Sequence, residues 1–541
     1  MPGMIKFMAC CGLLGLLMAV APVAAESPAG WYADGERLVA ERRAGYRDIR
    51  PARNVILFVG DGLSLATVAA ARILEGQLRG ESGEENLLSF EHFPHLALAK
   101  TYNTNQQTPD SAGTMTAMTT GVKSFAGAIA VDQMARRGDC ASAQGRERAT
   151  VLDLASLAGM GTGVVTNTRI THATPAALFA RSPERRWESD SGVPASASEQ
   201  GCVDIAVQMI EYDIGGGIDV IFGGGRRAFL PDAMFDPEYR SVRGHRADGR
   251  NLLTEWQERH PDGRYIWNLE QFEDLSFGSR GPVLGLFEPG HMQYEYDRPN
   301  DRAGEPSLAE MTRAAIHILN ESGSGFFLMI EGGRIDHAHH VNNAWRALTD
   351  TIAFADAVRV AEELTDSEET LIIVTSDHGH ALNFGNYGER GNPVMGLAVR
   401  PGDGPPEDRL MRDTAGVPLT VLKYASGPGY RGGQRPDYGR VVPEHPDFVQ
   451  EGTVNLRSSA HSGEDVPVYS TGPGAEILHG VIEQNVIFHA MVQAVPVLAE
   501  TAGTLINEEG LPDWHKLREL NDQRWLQTSC ALTTLLTLGD C

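Results

Sequence analysis

Between Gly325 and His340 the chain reads Gly-Phe-Phe-Leu-Met-Ile-Glu-Gly-Gly-Arg-Ile-Asp-His-Ala-His-His. Asp336 and His340 stand four residues apart. On a helix that spacing puts a carboxylate and an imidazole on one face, about 6 Å apart at Cβ. Such a pair suits a divalent metal, most naturally zinc. Ahead of it, Phe326 to Ile330 is an apolar run of the right length for a strand buried on both faces. The run stops at Glu331, and Gly332-Gly333 forces a turn. Taken alone, the segment fits a polar loop after a strand equally well, so the rest of the chain has to decide.

The same pattern recurs twice. Asn54 to Val59 reads as a buried strand that ends in Gly60-Asp61-Gly62, and Leu371 to Thr375 as one that ends in Ser376-Asp377-His378-Gly379-His380. Further short buried strands fall at Gly161–Thr166 and Ile218–Phe222. Helical segments alternate with the strands, notably Ser307–Leu319 and Asn343–Leu364. The alternation predicts an α/β fold: a large, mostly parallel central sheet with helices on both faces. The carboxyl ends of parallel strands share one edge, where ligands bind in open sheets. Asp61, Glu331, Asp336, Asp377 and His378 would converge there. Four carboxylates packed together without cations would repel one another, so more than one metal is expected.

Pro109 bars a helix before it, whereas Ser111 to Thr120 can form one, ended by Gly121. Ser111 would then lie at a helix N-terminus, where free amides and the dipole favour an anion. An ordinary Ser or Asp N-cap is the alternative. Thr171-His172-Ala173-Thr174-Pro175 precedes a helix over Ala176–Ala180. The following Arg181–Trp187 segment offers three arginines, and the local sequence does not choose among them.

The 541-residue chain has room for one large core or two or three smaller ones, and its net charge of −25 argues against nucleic acid as a partner. Only five of its 46 basic residues are lysine. That balance fits solubility in high salt, and fits GC-rich codon usage equally well. Residues 1–25 read as a signal peptide: Lys6, an apolar run from Phe7 to Val20, then Val23-Ala24-Ala25 as cleavage site. Export to a periplasmic or extracellular location follows, with no membrane anchor left after removal. Four cysteines then remain, Cys140, Cys202, Cys530 and Cys541, with three possible pairings. Proximity favours Cys530–Cys541, which leaves Cys140–Cys202. The expected organisation is a polar N-terminal arm (26–50), a catalytic core (51–380) with a Pro-, Gly- and acid-rich insertion (226–306), a Gly- and Pro-rich surface subdomain (381–457), and a C-terminal part closing the core (458–541).

Pro109-Asp-Ser-Ala, Glu331-Gly-Gly-Arg-Ile-Asp-His-x-His-His340, Asp377-His378 and His461-Ser-Gly-Glu-Asp465 follow one another in an order that resembles the alkaline phosphatases, over roughly residues 50 to 495. His172-Ala-Thr-Pro, Phe287-Glu-Pro-Gly290 and His479-Gly-Val-Ile-Glu-Gln484 resemble the animal-type members. The resemblance implies hydrolysis of phosphate monoesters through a phosphoserine on Ser111, with Arg185 as phosphate clamp. It implies two zinc ions, one on Asp336, His340 and His461 and one on Asp61, Asp377 and His378. Asp61 would be shared with one magnesium, completed by Thr174 and Glu331, with His172 nearby. It also implies a calcium site on Glu238, the Phe287 carbonyl, Glu288 and Glu305, where Glu305 replaces the family's aspartate behind a two-residue length difference. A homodimer is implied, and the arm before Pro51 could reach the partner. A phosphotransferase or mutase, and a non-catalytic metal-binding protein, are the competing readings. A sulfatase is disfavoured because Ser111-Ala-Gly lacks the Cys/Ser-x-Pro-x-Arg setting.

Overall fold

A computed structural model describes residues 26–46, 49–275, 281–321, 323–439 and 442–524. The signal-peptide segment and the Cys530–Cys541 pair lie outside these residues. The buried apolar runs do form strands, and they assemble into one ten-stranded sheet. Across it the strands run Gly480–Glu483, His95–Lys100, Val466–Thr471, Thr370–Thr375, Asn54–Gly60, Phe326–Gly332, Gly161–Arg169, Val220–Gly224, Val283–Leu286 and Arg264–Ile266. Only Val466–Thr471 runs antiparallel to its neighbours.

Side chains alternate along each central strand, so each strand feeds two cores. Val55, Leu57 and Val59 face one layer with the helices Ser111–Thr120, Ala173–Phe179 and Val486–Ala494. Ile56 and Phe58 face the other, with Leu65–Leu78, Leu308–Asn320 and Ala344–Leu364. Each fully buried large apolar side chain stabilises by about 1.5–3 kcal/mol, and this double cover explains why the central strands carry no polar alternation.

Three features extend the sequence reading. The 226–306 insertion supplies the strands Arg264–Ile266 and Val283–Leu286, which build one flank of the sheet. The N-terminal segment forms a helix, Pro28–Ala44, that packs on its own chain: Tyr32 meets Phe488 and His489, and Arg42 and Arg43 donate to the carbonyls of Ile477 and Gln493. The 381–457 region carries a separate three-stranded sheet, Leu382–Phe384, Leu422–Gly427 and Gly452–Asn455. Its base is closed by a short antiparallel pair in which His461 faces His380. Cys140 and Cys202 are disulfide-bonded. Among the described residues no single helix is long and apolar enough to cross a membrane.

Candidate active site

The strand register brings the distant acids together. Val59 pairs with Glu331 on one side and Thr375 on the other, and Thr166 pairs with Glu331. Asp61, Glu331 and Asp377 therefore leave adjacent strands at one edge. Gly62 turns the chain there at φ +71°, and its amide donates to Asp377 Oδ1 at 3.2 Å.

The helix Arg334–His340 starts just past the same edge and delivers the expected pair, with Asp336 Oδ2 3.2 Å from His340 Nε2. The ladder at the base of the surface subdomain brings in His461, whose ring stacks on His378 at 3.6 Å. Its Nε2 lies 3.4 Å from Asp336 Oδ1 and 3.3 Å from His340 Nε2.

Proton positions on the two imidazoles follow from their outer partners. His340 Nδ1 lies 2.7 Å from the Ser459 carbonyl, and His461 Nδ1 2.8 Å from the Pro109 carbonyl. A carbonyl can only accept, so each Nδ1 carries the proton and each Nε2 turns a lone pair inward. Two lone pairs facing each other beside a carboxylate form an arrangement that can hold a cation. Without a metal a proton serves: burial opposes it, but Asp336 raises His340 to about 9. His380 differs. Its Nδ1 accepts the Ala381 amide at 2.9 Å, so its Nε2 carries the proton and faces Asp336 Oδ1 at 3.5 Å. At that distance His380 Nε2 makes no hydrogen bond among the described residues, and the lone pair on its Nδ1 is taken by the Ala381 amide.

Two further groupings adjoin this one. Asp61, Asp336 and His378 can bring one ligand atom each within 4.8 Å of one another, as can Asp61, His172 and Glu331. Asp377 Oδ2 lies 3.3 Å from His378 Nε2. Thr174 is buried near Glu331 on the helix Ala173–Phe179. Among the described residues, both oxygens of Asp61, Glu331 Oε1, Asp336 Oδ1 and Asp377 Oδ2 are buried yet make no hydrogen bond. Orphaned acceptors of this kind are costly unless a cation satisfies them. Burial, then Asp336, Asp377 and Glu331, pushes the Asp61 carboxyl well above its usual range. Burial likewise lifts Glu331 to about 7, against hydroxyl donation from Thr166.

Ser111 opens the helix Ser111–Thr120, and Gly121 closes it at φ +75°. Asp110 is the N-cap, accepting from Gly113 N at 3.2 Å. The cap leaves the Ser111 hydroxyl free, 3.1 Å from His378 Nε2. Asp110 also fixes the arginine: Arg185 Nη1 donates to its Oδ2 at 2.8 Å, while Nη2 lies 3.1 Å from His172 Nε2. Of the three candidate arginines, Arg185 faces the site; Arg181 pairs with Asp153 and stacks on Trp514.

The Alkaline phosphatase family matches residues 52–497. The chain belongs to the alkaline phosphatase family. It is 45% identical over 451 residues to the human tissue-nonspecific alkaline phosphatase, spanning 82% of this chain and 83% of that protein. It is 43% identical to the alkaline phosphatase of Gadus morhua, spanning 82% and 91%. The alkaline phosphatase of the Antarctic bacterium TAB5 shares the fold at 22% identity and TM-score 0.57, covering 83% of this chain and 99% of that one. The Thermus thermophilus enzyme does so at 23% and 0.58, covering 84% and 96%. The protein is thus a phosphoric monoester hydrolase of a metal-binding family.

In this alkaline phosphatase a second acidic cluster lies in the insertion. Glu238, Glu288 and Asp301 gather within ligand distance of one another. Tyr239 Oη bridges Glu288 Oε1 at 3.1 Å and Asp301 Oδ1 at 3.2 Å. Phe287 immediately precedes Glu288, with its amide donating to the Gly223 carbonyl. Glu305 is buried beside them; one oxygen accepts from Gln293 N at 2.8 Å and the other makes no hydrogen bond among the described residues. Burial, then Glu288, pushes Glu305 up to about 9, and burial pushes Glu288 to about 8. Sequence reasoning missed Asp301 because it lies in an acid-rich loop with no period to set it apart. It missed the second role of Asp110 because a cap residue carries no sign of its arginine. His380 was visible two places after His378, but its part depends on a proton position that no sequence displays.

Proposed function

We propose that this alkaline phosphatase hydrolyses phosphate monoesters through a phosphoserine on Ser111, in a pocket that holds two zinc ions and one magnesium. Support comes above all from the orphaned carboxylate oxygens and inward lone pairs that surround one serine hydroxyl. Asp336, His340 and His461 would hold one zinc, and Asp61, Asp377 and His378 the other. Asp61, Glu331, Thr174 and the nearby His172 would serve magnesium. Glu238, Glu288, Asp301, Glu305 and the Phe287 carbonyl form an all-oxygen set that suits calcium.

When bound, the zinc ions supply a lowered hydroxyl pKa and neutralise charge on the attacking and departing oxygens. The chain itself does the rest. Arg185, held flat by Asp110, presents its remaining N–H groups as a fork to two non-bridging phosphate oxygens. The free amides at the start of the Ser111 helix add positive potential behind the phosphorus. Ser111 Oγ forms a bond to phosphorus as the ester P–O bond breaks, and the departing alkoxide takes up a proton. Water then attacks the phosphoserine, the P–Oγ bond breaks, and Ser111 recovers its proton as inorganic phosphate leaves. Export and a homodimer complete the proposal, on the strength of the signal-peptide pattern and the family resemblance.

The test is phosphate release from p-nitrophenyl phosphate by wild type and Ser111→Ala, with label from 32P-phosphate trapped on the protein at low pH. The variant should lose at least about 1,000-fold in kcat, as loss of an activated nucleophile does, and trap no label. Near-wild-type turnover by Ser111→Ala would refute the covalent route. Phosphoryl transfer to an added alcohol in place of water would favour the phosphotransferase reading.

A further inference from the structure

Asn167 belongs to none of the ligand sets above. It lies in the strand Gly161–Arg169, and its side-chain carbonyl accepts two backbone amides, Gly333 N at 2.8 Å and Arg334 N at 3.1 Å. Those are the leading N–H groups of the helix Arg334–His340, which carries both Asp336 and His340. The first amides of a helix have no partner within it and need an outside acceptor. Gly333, at the N-cap position, cannot supply one: a Cβ there would sit 2.2 Å from Thr168 Cγ2 and 2.7 Å from Glu331 Oε1. The packing that places Glu331 thus forbids a local cap, and the neighbouring strand donates it.

The other end of the amide is also fixed. Asn167 Nδ2 lies 3.4 Å from Oδ1 of Asp350, a buried residue of the helix Ala344–Leu364, whose Oδ2 accepts from Glu295 N at 3.2 Å. An accepting carboxyl oxygen on the NH2 side turns the carbonyl side toward the helix that carries Asp336. Asp350 sets the amide, the amide sets the first turn, and the first turn carries Asp336.

We propose that Asn167, oriented by Asp350, is a positioning residue that keeps Asp336 and His340 in register for zinc. This inference rests on the reading that those two residues hold zinc. The experiment uses the zinc-loaded full enzyme and four variants: Asn167→Ala, Asn167→Asp, Asn167→Asp combined with Asp350→Asn, and Asp336→Ala. The rate of zinc transfer to a chromogenic chelator is measured beside kcat, KM and thermal unfolding. Asn167→Ala should release zinc about 10–100-fold faster, the usual effect of removing a group that orients a metal ligand, with kcat falling more than KM rises. Measured at about pH 9.5, above the value of about 8 to which burial lifts Asp350, the exchanged pair keeps an acceptor toward the helix and a donor toward position 350, so it should return zinc release to within about threefold of wild type, while Asn167→Asp alone, with two carboxylates facing, should not.

Zinc release unchanged in Asn167→Ala, even with a lowered unfolding temperature, would overturn the proposal, as would an exchanged pair that fails to recover. If Asn167→Ala does not fold, the comparison of Asn167→Asp with the exchanged pair decides alone. Zinc retention by Asp336→Ala equal to wild type would instead refute the ligand reading beneath it.

Discussion

Replacing Gly62 by alanine separates backbone strain from displacement of Asp336, the proposed zinc ligand. Gly62 has φ +71°, and a Cβ there would lie 3.3 Å from both Cα and Cβ of Asp336. The left-handed conformation costs an alanine about 1–2 kcal/mol. The contact is with backbone and Cβ, so Asp336 must yield by a few tenths of an ångström in a site where about 1 Å can cost 100-fold. Gly159 supplies the control: its φ is +76°, and a Cβ would meet nothing within 4 Å. Both variants should lose about 1–2 kcal/mol in denaturant unfolding. Only Gly62→Ala should lose kcat/KM for p-nitrophenyl phosphate, by about 10–100-fold, and release zinc faster to a chelator. Should Gly62→Ala keep activity within twofold of Gly159→Ala, the close approach of these two segments would not govern the site, and the reasoning from geometry to metal would fail.

Two further outcomes are expected. Asp301 shares Tyr239 with Glu288, so Asp301→Ala should weaken calcium by tenfold or more; at a concentration that stabilises wild type by about 2.7 kcal/mol, the variant should gain about 1.4 kcal/mol less. An equal rise in unfolding temperature with calcium in both proteins would remove Asp301 from the site. Burial lifts the Asp350 carboxyl to about 8, against Arg334. Between the unfolded value of about 4 and that folded value, the native chain holds a proton the unfolded chain releases, so stability falls as pH rises, by up to about 1.4 kcal/mol per unit. Asp350→Asn abolishes this slope and should gain on wild type in urea midpoint from about pH 5 to pH 8; parallel curves would refute the assignment.

The central strands were legible because burial on both faces left them as unbroken apolar runs, and because each run stops at a charged residue. Asn54–Gly60, Phe326–Gly332 and Thr370–Thr375 are buried throughout. The flanking strands gave no such signal. His95–Lys100 is half exposed, and Arg264–Ile266 has only three residues. Such strands are recruited by the pairing edge beside them more than by their own composition, so local patterning understates them. The helix start at Ser111 was legible through Pro109 before it and Gly121 after it. Asn167 was not: a strand asparagine looks the same whether its amide meets solvent or the first turn of a distant helix. The segment before Pro51 reads as a polar short helix or arm, and it is a helix whose buried Tyr32 and Val39 seat it on the core.

The site also resolves an apparent conflict of charge. A chain of net charge −25 should repel a phosphate monoester dianion. At physiological ionic strength, however, exposed charges beyond about 8 Å are largely screened, so the surface acids carry little weight inside the pocket. What counts there is local: four carboxylates, Arg185, and whatever cations those carboxylates hold. Without cations the pocket would be anionic, and the chain answers by taking up protons, as the raised carboxyls of Asp61 and Glu331 indicate. The three divalent ions proposed above would outweigh four carboxylates and reverse the sign of the field at Ser111. On that proposal, the cluster of acids that would repel substrate in the bare chain is what would make the loaded pocket attract it, and metal loading, folding of the edge loops and phosphate affinity would become one linked equilibrium.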